Sequence, residues 1–148
     1  MMAMHHDYRV MSPSRGFACL NELEFGAPLM PAMSSIFRIK LRPDVYRSVV
    51  LEARRFSGPD ALAAGMVDAT GALEDALRLV RDRDLTKKGT TGVYDALKAE
   101  MYRESVGYLT VEGHDREEKR ATEAARMEDE RRDAGTRRVE ELKAKGKL

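Results

Sequence analysis

Two carboxylates, Glu22 and Glu24, stand in an otherwise largely apolar stretch, Cys19-Leu20-Asn21-Glu22-Leu23-Glu24-Phe25-Gly26-Ala27-Pro28-Leu29-Met30-Pro31. Acids in such company have two readings. They sit in a solvated turn and do nothing chemical, or one of them is kept from water, where a carboxylate holds a proton more tightly and becomes a usable base. An extended backbone puts both acids on one face; a turn separates them. His5-His6 invites a metal, but neighbours on a helix diverge by about 100° and show no ligand spacing, so no metal site is expected. Asp7 is expected to anchor backbone where a helix passes into a strand.

The elements that must position these groups follow from pattern. Met1 to His6 reads as the last turns of a helix and Tyr8 to Met11 as a short strand; Ser12-Pro13-Ser14-Arg15-Gly16 makes a turn, and Phe17 to Leu20 resumes an extended segment. Met33, Ile36, Phe37 and Leu41 recur at helical spacing; Pro43 interrupts, and Val45, Val49, Val50 and Ala53 continue on a second helix. Ser57-Gly58-Pro59-Asp60 opens a third with a capping pattern, and Gly65 ends it. Met66-Val67-Asp68 is read as extended. Leu73, Leu77 and Val80 mark a fourth helix, Lys87-Lys88-Gly89-Thr90 a loop, and Val93, Leu97, Met101 and Leu109 the stripe of a fifth.

From Gly113 the texture changes. Eleven basic and ten acidic residues fill positions 113–148, and large apolar side chains are sparse. That predicts a globular domain over 1–112 and a charged, partly helical or disordered tail over 113–148, with no sustained coiled-coil seam. The whole chain, 148 residues with 43% hydrophobic content, has enough apolar material for a core. Its 26 Lys and Arg balance 25 Asp and Glu, so no global field draws it to nucleic acid or anionic lipid. One cysteine, Cys19, rules out an internal disulfide and suits a reducing compartment. No apolar run approaches the roughly 18 residues of a membrane span.

The order of these elements, with "AMHHDYRVM", "FACLNELEFG" and "FSGPDALAAGMVD", resembles the crotonase (enoyl-CoA hydratase/isomerase) superfamily. "NELEFGAPL" and "MSSIFRIKL" look most like its peroxisomal 3,2-enoyl-CoA isomerases of fungi and plants. The resemblance implies an α/β architecture, the C-terminal part of a crotonase spiral: short strands, then helices. Whole members are nearly twice as long, and the two backbone N–H groups of their oxyanion hole belong to segments before the helix that here begins at Met1.

By the same resemblance Glu22 falls where members carry a catalytic glutamate, with Glu24 as its rival. One carboxylate suffices to move a double bond from position 3 to position 2 of an enoyl-CoA: it takes a proton from the α-carbon and returns it at the γ-carbon while backbone donors hold the enolate. Hydratases add a second glutamate at what corresponds to Met1, which favours isomerase over hydratase or another crotonase reaction; a different reading is a truncated, inactive subunit-binding fragment. Phe25, Leu29 and Met33 are expected to line the acyl pocket. No cofactor is implied beyond the CoA of the substrate, and the family assembles as trimers or hexamers. Lys87 and Lys88 are candidate contacts for CoA phosphates, with simple solvation as the default. Gly146-Lys147-Leu148 approximates the Ser-Lys-Leu address read by the peroxisomal import receptor. Peroxisomal localisation is therefore expected, with the cytoplasm or mitochondrion otherwise.

Overall fold

The computed structural model describes residues 2–146; Met1, with the comparison to the second hydratase glutamate, and Lys147 and Leu148 of the terminal address lie outside them. A turn of 3₁₀ helix, Met2–His5, leads into strand β1 (Val10–Met11), followed by α1 (Glu22–Phe25), α2 (Pro31–Lys40), α3 (Pro43–Leu51) and α4 (Gly58–Ala63). Then come β2 (Ala69–Thr70), α5 (Leu73–Asp82), a 3₁₀ segment Leu85–Thr91, α6 (Tyr94–Met101), α7 (Arg103–Leu109) and α8 (Val111–Ala144). Contacts divide the chain into two units, residues 1–107 and 108–148.

The prolines set the helix starts. Pro31 and Pro43 occupy the first turns of α2 and α3, where a missing N–H costs nothing, and the residues before them, Met30 and Arg42, are extended as a following proline requires. Ser57 caps α4 by accepting from the Asp60 N–H at 3.3 Å. Gly58 is needed for a different reason: a Cβ there would lie 2.4 Å from the Ser12 carbonyl, so only glycine lets the Ser12-Pro13 turn close against α4. Gly65 adopts a left-handed φ of 72° just past this helix.

The core of the first unit gathers Met4, Leu20, Ile36, Phe37, Leu41, Val45, Val49, Phe56, Ala61 and Met66. Ile36, Phe37 and Leu41 from α2 and its end meet Val45 and Val49 from α3, as the helical spacing predicts. Met33 and Val50 are only partly buried.

The strands differ from expectation. β1 pairs in parallel with β2, Val10 opposite Ala69 and Met11 opposite Thr70, rather than with the segment after the turn. That segment makes a one-residue antiparallel bridge instead, Ala18 exchanging two 2.9 Å hydrogen bonds with Phe56. Met66-Val67-Asp68 is bent, not extended, because Asp68 uses its side chain to accept from the Arg9 N–H at 2.9 Å; the strand begins one residue later. The single helix expected over Val93–Leu109 is broken at Tyr102 into α6 and α7. In the second unit, positions expected as a charged tail lie mostly in the 34-residue helix α8, whose start is capped by Thr110 accepting from the Gly113 N–H at 3.0 Å.

Candidate active site at Glu22

Local sequence turns the backbone at the two acids. Asn21 precedes and Gly26, left-handed at φ 69°, closes a single helical turn, Glu22–Phe25, with the Ala27 N–H returning to the Glu22 carbonyl at 3.0 Å. Two residues apart on a helix, Glu22 and Glu24 point about 200° apart, so the shared face of an extended segment does not exist here. Each acid finds its own surroundings.

Glu24 reaches toward solvent and pairs with Arg55, Oε2 to Nη2 at 3.5 Å, an exposed ion pair of little energetic weight. Glu22 turns inward. Its Oε2 is the one buried side-chain oxygen or nitrogen without a hydrogen-bond partner among the described residues. Glu22 borders a cavity of about 170 Å³ whose walls include Leu20, Leu23, Pro28, Leu29, Val50 and Leu51. Leaving a buried acceptor unsatisfied costs on the order of 1–3 kcal/mol, which folded proteins tolerate where the atom has work to do. The arrangement is an acceptor oxygen, committed to no donor, on a residue that borders an apolar space.

Of the other residues expected at the site, Leu29 lines this cavity with Glu22. Phe25 does not: it is 71% exposed, on the outer side of the α1 turn. Met33, partly buried on α2, is not among the cavity walls either. Val50 and Leu51 come from the end of α3, whose first turn is fixed by Pro43, so α1 and α3 together hold the space in front of the carboxylate. His5 and His6 are exposed and Lys87 is engaged by Asp84 at 2.7 Å.

A second polar group escaped the sequence reading. Asp7 accepts from Lys98 Nζ at 2.7 Å, from Tyr102 Oη at 3.1 Å and from Tyr94 Oη at 3.3 Å. It thus anchors α6 by side chains, beyond the backbone role expected of it. Burial works to raise its pKa, but Lys98, Tyr102 and Tyr94 outweigh that and hold the carboxyl below its ordinary range. The signal was present in the sequence: Tyr94, Lys98 and Tyr102 recur every four residues and share one helical face.

No protein-family model matches the chain. It is 26% identical over 119 residues to the peroxisomal enoyl-CoA delta isomerase 2 of Arabidopsis thaliana, covering 76% of this chain and 49% of that protein. With enoyl-CoA delta isomerase 3 of the same plant it shares 28% over 111 residues, 70% of this chain and 46% of the relative. Among solved structures, a probable enoyl-CoA hydratase of Mycobacterium tuberculosis superimposes with a TM-score of 0.61 at 21% identity, over 86% of this chain and 52% of that one. An enoyl-CoA hydratase of Mycobacterium marinum gives 0.57 at 24% identity, over 70% and 46%. The chain spans about half the length of the curated relatives it matches. Through those two relatives the chain is similar to the crotonase (enoyl-CoA hydratase/isomerase) superfamily, and its structure carries part of that α/β fold.

Proposed function

We propose that this chain carries the proton-shuttling half of a 3,2-enoyl-CoA isomerase acting on fatty acyl-CoA in β-oxidation, with Glu22 as the shuttle. The observation that carries this reading is Glu22 itself, whose Oε2 is buried without a donor and whose side chain borders an apolar cavity. A proton removed beside a thioester carbonyl must go to an acceptor not already occupied, and the same oxygen must give it back two carbons along. Water in the cavity would compete for both steps. Leu29 supports the acyl chain at the cavity wall. The oxyanion donors are assigned to segments outside the match. No cofactor is needed beyond the CoA of the substrate.

In a complete polypeptide containing this segment, Glu22→Gln is expected to lower turnover of a 3-enoyl-CoA by at least about a thousandfold while leaving the thermal transition in place. Near-normal turnover by that variant sinks the assignment. Glu24→Gln is expected to leave turnover within a fewfold of the parent.

The relatives' names also favour the peroxisome, one of the two being called peroxisomal. The address proposed for this chain is Gly146-Lys147-Leu148. Fusing residues 143–148 to a fluorescent protein should place it in peroxisomes; a uniformly cytosolic signal removes this part of the proposal.

A further inference from the structure

Lys40, the last residue of α2, stands in the Asp7 cluster without a carboxylate of its own. Its Nζ donates to the His6 carbonyl, and Arg9 Nη1 donates to that same oxygen at 3.0 Å. Two cations therefore share one neutral acceptor. Arg9 Nε goes to the Met66 carbonyl at 2.6 Å, a second neutral acceptor. The nearby carboxylates are taken: Asp7 holds Lys98, Tyr94 and Tyr102, and Asp68 accepts from the Arg9 backbone and lies 3.8 Å from Arg83. On the remaining side the ammonium lies 4.8 Å over the Tyr102 ring, a weak attraction at a partly exposed site that leaves the charge in place.

We propose that Lys40 is this chain's preferred site of acylation by thioesters, its amine presented partly desolvated among other cations. Burial first, and then the Arg9 and Lys98 charges against the partial relief of Asp7 and Asp68, lower its pKa to about 8. Lys98, in the same cluster but in possession of Asp7, has its pKa raised. The neutral fraction of Lys40 at pH 7.5 is then on the order of a hundredfold larger than that of an ordinary lysine. A weaker base is also a weaker nucleophile, and with a Brønsted slope of about 0.5, as for thiolates, the net gain is about tenfold in rate. In the step, the lysine nitrogen attacks the thioester carbonyl, the C–S bond breaks, and the thiol leaves with the proton the nitrogen gives up. An amide remains on Lys40.

The choice of acyl donor rests on the acyl-CoA reading above, so the test separates the two. The chain is incubated across pH 6–11 with the S-acetyl thioester of a small thiol, and in parallel with acetyl-CoA, and each lysine's acetylation rate is followed by peptide mass spectrometry. With the small thioester, Lys40 should react about tenfold faster than Lys87 and Lys88 at pH 7.5, reaching half its limiting rate near pH 8. A Lys40 rate no greater than theirs, or one still climbing past pH 10, overturns the proposal. Selective labelling by the small thioester but not by acetyl-CoA upholds the lysine and counts against acyl-CoA approach to this chain.

Discussion

Asp7 shows how one carboxylate can be more than a surface charge. Its side chain is 26% exposed and meets three donors presented by one helix face, so removing it strands two phenols and an ammonium at once. Asp7→Asn is expected to destabilise the chain by about 1–3 kcal/mol at pH 7. The pH dependence has a definite sign. Because the folded carboxyl titrates below its ordinary value of 3.8, its stabilisation is complete above that value and is lost as pH falls through the lower, folded one. The gap between parent and variant, read from urea denaturation midpoints, should hold steady from pH 7 to about 5 and close below about 4. A gap that does not change between pH 6 and 3 means the charge of Asp7 contributes nothing. The cluster was legible in part: the four-residue spacing of Tyr94, Lys98 and Tyr102 is in the sequence, but their common acceptor, 87 to 95 residues away, is fixed only by tertiary structure. At Glu22 sequence could name the residue and pose the alternative between extended chain and turn. It could not settle it, because a four-residue helix is too short for any periodicity and is held by Gly26 and by packing against α3.

Elements with many repeats of their own pattern were readable, and elements made by distant pairing were not. Prolines at the starts of α2 and α3 and the Ser57 cap of α4 act within a few residues, so they appear in the structure where the pattern puts them. The β1–β2 pair joins segments some 59 residues apart through two residues on each side, and nothing local specifies which extended piece is the partner. The helix α8 is a further case. Its apolar residues form no continuous stripe, so packing does not explain it; opposite charges a turn apart do, as in Arg126–Glu130, Arg131–Glu128, Arg132–Asp129 and Arg138–Glu141. Each pair is worth only a few tenths of a kcal/mol, and several in succession are needed to hold so long a helix. Gly113 and Gly135 within it work in the opposite direction.

At the scale of the molecule, the apolar material exceeds what the first unit buries. Leu73, Leu77 and Val80 of α5 recur at helical spacing, yet Leu73 is 71% exposed; on α6, Leu97 is 63% exposed and Met101 60%. Isolated exposed leucines are ordinary, but two amphipathic helices with their apolar faces uncovered are not. A second copy of the chain is the simplest occupant, since it presents the same uncovered faces in return. Burying one such leucine is worth about 1.5–3 kcal/mol, so a handful on each side is enough to bring an association into the micromolar range after the entropy of docking is met. Sedimentation equilibrium of the purified chain is expected to give a mass above the 16.7 kDa monomer, and the double variant Leu73→Glu, Leu77→Glu to return it to monomer without changing the helical circular dichroism. If the parent chain stays monomeric at 100 μM, self-association is not what covers these faces. If the parent associates but the double variant does so equally, the contact lies elsewhere than α5.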